Sequence, residues 1–169
     1  MLNYQLIIQS KRQRAWEAFS AAKCLIEANA CSSVLNRTYY ACFYMVSALL
    51  LTKKLSSCKH AGVKSLFNKY FVDIGCIDRK WGSFYSTLFQ EKQDCDYGDF
   101  YAIDKEYISK NLNEAEVFLK EIELYINHAQ SQTKQEREFS WRGALKEIDP
   151  NISSVEMQHQ IYKDWENHE

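Results

Sequence analysis

The sequence predicts an all-α protein, an antiparallel helical bundle of about five helices with a helical C-terminal extension. Three observations carry this expectation. A single proline, Pro150, and five glycines in 169 residues leave too little punctuation for a many-stranded β protein. Alanine, leucine, lysine, glutamate and glutamine recur at helical spacing. The longest apolar run, Tyr39 to Leu51, falls well short of the ~20 residues that span a bilayer, so it belongs inside a bundle and not in a membrane.

The first helix is expected from about Tyr4 to Ala28, with Trp16, Phe19, Ala22, Lys23 and Ile26 at three-and-four spacing and Asn29 ending it. Ser32 or Ser33 then caps a second helix reaching about Lys54. Because this helix is apolar on nearly every face, it should be the central, buried one. The third, about His60 to Ile74, sets Val63, Leu66, Phe67, Tyr70 and Phe71 on one face and stops at Gly75. The fourth starts near Asp78, carries Trp81, Phe84, Tyr85, Leu88 and Phe89, and ends in a polar turn around Tyr97-Gly98. In the fifth, Ile108, Leu112, Ala115, Leu119, Ile122 and Ile126 alternate by four and three, the spacing of a packed seam. Asp104 is its expected N-cap, with Ile103 and Ile108 as a hydrophobic staple.

After His128 the stretch Gln130 to Glu138 is polar and lacks apolar periodicity, which reads as a linker or a fraying helix end. Beyond it Ser153-Ser154-Val155-Glu156 has the form of a capping box, followed by Met157, Ile161 and Trp165 at intervals of four. The chain is therefore divided into a bundle, 1–130, and a polar linker plus short amphipathic helix, 131–169. Such a tail is too apolar to float free and too short to own a core, so it is expected to dock on the bundle, a dimer mate or a protein partner.

With 22 acidic and 21 basic residues the chain has no global field to draw in nucleic acid, so any RNA contact must rest on a local patch. The six cysteines are scattered, with no C-x-x-C pair, and the N-terminus has no signal-peptide pattern. A reduced, cytoplasmic setting follows, with cysteines as small apolar fillers, no metal and no cofactor.

Asn36-Arg37-Thr38-Tyr39-Tyr40-Ala41-Cys42-Phe43-Tyr44 places a permanent cation at the head of the apolar helix. Buried arginine is rare without a partner, so Arg37 should meet a carboxylate or a phosphate. Asp94-Cys95-Asp96-Tyr97-Gly98-Asp99 supplies three carboxylates, and a structural pair with Asp96 or Asp99 is favoured. His60, beside Lys59 at a helix start, is either part of an anion site or an exposed loop histidine. Facing a cleft, it would be the best general acid or base in the bundle. Lys92 and Asp96 stand one turn apart on one helical face, as a site or as surface charge. Tyr39 and Tyr40 fit core and hydrogen-bond anchors better than a base-stacking platform. Lys11, Arg12 and Arg14 make a solvated basic patch.

From about Trp16 to Tyr125 the chain resembles the HEPN family, small helical bundles of prokaryotic toxin–antitoxin and defence modules. The resemblance rests on Asn36 to Tyr44, Ala48-Leu49-Leu50, Lys59-His60-Ala61-Gly62-Val63 with Phe67 and Phe71, Lys92-x-x-x-Asp96-Tyr97-Gly98-Asp99, and Glu114-Ala115 with Phe118-Leu119. It implies a dimer, and either metal-independent ribonuclease chemistry or non-catalytic binding beside a nucleotidyltransferase or antitoxin. In the ribonuclease case a base takes the ribose 2′-OH proton, an acid protonates the leaving oxygen and a cation stabilises the phosphorane. The implied catalytic residues are His60, Lys92, Asp96 and Tyr97, with Arg37, Tyr40 and Lys59 binding RNA or nucleotide. Two departures stand out. No arginine is followed by a histidine at four to six residues, and Lys92 replaces the arginine of the related Arg-x-x-x-Asp-Tyr pattern.

Overall fold

The computed structural model describes residues 4–28, 30–96 and 104–146, with the backbone alone at Asp96 and at 132–146. Its elements are α1 (Tyr4–Glu27), α2 (Cys31–Thr52), α3 (His60–Phe67), a π-helical turn (Asn68–Val72), α4 (Arg79–Asp96) and α5 (Lys105–Lys146). No strand occurs among the described residues. The all-α bundle is the observed class. The chain forms two compact units, Met1–Gln130 and Ser131–Glu169, and the bundle is the first.

Four long helices pack antiparallel in a ring. α1 and α2 follow each other through a short link, as an αα-hairpin requires. Tyr39 meets Tyr85 and Phe89, while Arg37 shares a groove with Cys95, so α2 and α4 run in opposite directions. Phe118 contacts Trp81 and Phe84, and Tyr107 bonds Glu91, which sets α4 against α5 in the opposite sense to each other. α1 and α5 close the ring through Gln5–Gln130, Arg12–Glu123 and Lys23–Glu116. Glu123 is the strongest of these ties. Arg12 Nε and Nη2 donate to its Oε1 at 3.1 and 2.7 Å, and Trp16 Nε1 donates to Oε2 at 3.1 Å. Arg12 is thus an inter-helix clamp, not part of a solvated patch.

The core follows from the apolar pattern. All six seam residues of α5 are buried, as are Trp81, Phe84, Tyr85, Leu88 and Phe89 of α4 and an unbroken run from Met45 to Leu51 in α2. The cysteines fit less well. Cys42 is buried, but Cys24, Cys58 and Cys76 are exposed, so they are not core fillers.

Boundaries differ from expectation in three places. α2 starts at Cys31 behind Ala30, which makes no side-chain cap, so Ser32 and Ser33 lie inside the first turn instead of capping it. The third segment changes to π geometry at Asn68, and Gly75 ends it at φ +76°, a left-handed value that glycine adopts without strain. Gly82 of α4 lets this turn approach, because a Cβ there would stand 2.9 Å from Asn68 Oδ1 and 3.0 Å from Val72 Cγ1. α5 continues over the polar Gln130–Glu138 stretch to Lys146, since glutamine, lysine, glutamate and arginine sustain a helix without an apolar face. Asp104 does cap it, accepting from Glu106 N–H. Ile103 of the expected staple and the Met157, Ile161 and Trp165 tail lie outside the described residues.

Candidate functional site

Between its two ends helix α2 is buried except for one stripe: Ser33, Asn36, Arg37, Tyr40, Phe43 and Tyr44. Positions three and four apart share a helix face, so this stripe is the side of α2 that the long helices leave open. α3 enters against it. Lys59, extended at φ −97° and ψ 134°, precedes the helix, and Ser57 Oγ accepts from its backbone N–H. His60 is then delivered half-buried onto the aromatic residues.

The imidazole of His60 is held on several sides. Its Nδ1 lies 2.8 Å from Tyr39 Oη. The ring stacks on Phe43 with centroids 4.4 Å apart and 13° between planes, and Tyr40 meets it edge-on at 5.8 Å. It is therefore not an exposed loop histidine. Burial holds its pKa below 6.5, and the nearby Lys92 ammonium adds to the depression, so the ring is uncharged at neutral pH. Behind it, burial pushes the Tyr39 phenol up to about 12, keeping that hydroxyl protonated. Tyr39 is wholly buried, and Tyr85 of α4 lies parallel to it.

One turn further along α4 from Lys92 lies Cys95, and here a groove of about 400 Å³ opens, lined by Leu25, Ser32, Ser33, Asn36, Arg37 and Cys95. Arg37 is exposed in this groove. It forms no ion pair or hydrogen bond among the described residues, and Asp94 bonds Gln90 instead. The expected burial of Arg37 is thus corrected, since position 37 falls on the open stripe of α2, and its expected carboxylate partners are not among the described side chains. The Asp96 side chain, Tyr97 and Asp99 lie outside the described residues.

The structure therefore brings His60, Lys92 and Tyr40 together, puts Lys59 next to them in the chain and Arg37 in the adjoining groove. Sequence reasoning missed Tyr39 and Phe43 as the residues that hold His60. Their spacing to position 60 carries no local signal, because the contact joins two helices. Among the described residues no group of three or more histidine, cysteine, aspartate and glutamate side chains could hold a metal, and no helix is long and apolar enough to cross a membrane.

The depressed His60 pKa has a consequence for stability. In the unfolded chain this histidine takes up a proton near pH 6.5, whereas in the fold it does so only at lower pH. Its contribution is fully present above about pH 6.5 and is lost as pH falls through the folded value. Urea midpoints at pH 7.5 and 5.5 should differ less in His60→Gln than in the wild type. An equal difference in both would rule out the group.

The sequence profile of the HEPN domain matches residues 8–125. A Thermotoga maritima protein carrying the name UPF0332 protein is 42% identical over 120 residues, covering 71% of this chain and 91% of the relative. Two Methanocaldococcus jannaschii proteins are named as candidate toxins. One is 34% identical over 128 residues, with 76% of this chain and 90% of the relative covered. The other is 28% identical over 125 residues, covering 74% and 85%.

Proposed function

Because this chain belongs to the HEPN domain family, we propose that it is a toxin-type member that engages RNA through the α2–α3–α4 face and acts as a homodimer. The observation that carries this reading is the meeting of an uncharged, hydrogen-bonded His60 with the Lys92 cation beside half-buried Tyr40. The toxin class is supported by the names of two relatives.

In this reading Lys92 and Arg37 hold phosphates, and Lys59 adds positive charge at the entrance to α3. Tyr40 offers an edge-held ring on which a base can stack. His60 places a hydrogen bond on a phosphoryl oxygen where negative charge grows. Asp96 and Tyr97 complete the set, Tyr97 as the alternative proton donor. Lys92 acts as a point charge, without the bidentate fork that arginine would give. No step needs a metal or cofactor.

Purified protein incubated with total RNA in EDTA tests the activity. Cleavage that persists in EDTA is expected, and failure both to cleave and to bind RNA would remove the reading. A second reading is favoured by Lys92 standing in place of arginine and by the missing Arg-to-His spacing. Here the bundle is a non-catalytic binding module for a nucleotidyltransferase or antitoxin, and intact RNA together with capture of such a partner selects it.

The homodimer reading is supported by the general preference of soluble oligomers for a self-complementary two-fold surface. Light scattering at micromolar concentration should return twice the chain mass. A monomer at every concentration would exclude a shared cleft.

A further inference from the structure

His60 serves the proposed RNA site only if the free side of its ring carries the right group, and a buried tyrosine controls that. Tyr39 Oη lies 2.8 Å from Nδ1, and a neutral imidazole can either accept a proton there or donate one. Behind Tyr39 the Tyr85 ring is parallel within 5°, with centroids 6.1 Å apart, and both residues are fully buried. Tyr85 Oη makes no hydrogen bond among the described residues, so Tyr85 backs Tyr39 by packing alone.

A stranded buried O–H donor is costly, while an oxygen lone pair is cheaper to leave unused. Were Nδ1–H to donate to Tyr39, the proton of this fully buried phenol would have no acceptor, since Tyr39 makes no other hydrogen bond among the described residues. In the opposite direction Tyr39 O–H points at Nδ1 and its proton is satisfied. The ring proton of His60 then sits on Nε2. That nitrogen makes no protein hydrogen bond among the described residues and is not buried.

We propose that Tyr39 is a positioning residue for His60: backed by Tyr85, it donates to Nδ1, locks the neutral Nε2–H form and so presents a hydrogen-bond donor to an anionic oxygen. In the RNA reading above, on which the choice of ligand rests, that oxygen belongs to a phosphate. An Nε2 lone pair would instead suit a metal or a general base. The ionisable groups around the ring are Tyr39 and Tyr40 of α2 and Lys92 of α4, with Lys59 its neighbour in the chain. No carboxylate acts on the ring among the described residues. Protonating Nδ1 forces Tyr39 to accept and strands its own buried proton, so this hydroxyl opposes the imidazolium.

Nitrogen-resolved NMR of the labelled full chain, with His60 identified by its loss in His60→Gln, reads the tautomer and titration directly. The expected form is Nε2–H, titrating below pH 6.5. Tyr39→Phe should raise the His60 midpoint by about 0.5–1 pH unit, the size of one hydrogen bond. Circular dichroism should confirm an intact fold in Tyr39→Phe. An Nδ1–H form in the wild type, or a fall or no change in Tyr39→Phe, would overturn the proposal. RNA binding on the same samples separates the two claims. Shifts without binding leave the Tyr39 bond standing and remove the RNA reading, while binding without shifts does the reverse.

Discussion

Replacing Phe118 by alanine is expected to lower the stability of the bundle by about 3–5 kcal/mol. Phe118 is fully buried on the seam of α5 and meets Phe67, Trp81, Phe84 and Tyr85, with centroid separations from 5.5 to 6.3 Å. Its ring therefore ties α3, α4 and α5 together, and truncation leaves a cavity between aromatic faces that cannot easily collapse. Against a total of about 5–15 kcal/mol for a domain of this kind, the loss is a large fraction. Urea unfolding of wild type and Phe118→Ala measures it. A difference under about 1 kcal/mol would mean the site repacks and is not the centre of the core.

The second large effect is at Lys92. Lys92→Ala should weaken RNA binding roughly 10- to 100-fold at fixed salt, the worth of one charge-assisted contact. The slope of log affinity against log salt should flatten by about one. Lys92→Arg should bind at least as well as the wild type, because guanidinium adds a bidentate grip on phosphate. Lys92 is half-exposed, so circular dichroism should stay the same. The His60 midpoint should also rise in the alanine variant, since a neighbouring cation has been removed. Binding and salt slope like those of the wild type would take Lys92 out of the mechanism.

Much of the fold was legible because the responsible signals are local. The four-three repeat from Ile108 to Ile126 needs no knowledge of its partner to mark a buried face, and the same holds for Trp81 to Phe89. Position 37 was a different kind of problem. In a helix with few polar residues, periodicity cannot say which side is open, so an arginine on the open stripe looks like a buried one in need of a carboxylate. The polar stretch 130–138 reads as a linker or a fraying helix end because it lacks apolar periodicity, yet its residues have the propensity to stay helical and α5 runs through it to Lys146. At the site, His60 and Lys92 could be named as chemically capable, but the Tyr39 hydroxyl and Phe43 face that hold His60 depend on α2 and α3 meeting across the bundle.

The π-helical turn at Asn68–Val72 gives this fold a place that can absorb a change in chain length. A π turn carries about one residue more per turn than an α-helix, so the segment holds a built-in insertion. Removing one residue between 68 and 72 would let it relax to α geometry with the residues after it kept nearly in phase, because the wide turn already absorbs one residue within a single rotation. The same deletion inside α2 or α5 would rotate everything after it by about 100°, the angle per residue of an α-helix. Single-residue deletions at 68–72 should therefore be better tolerated than deletions inside the long helices, an asymmetry that residue-by-residue substitution would not reveal.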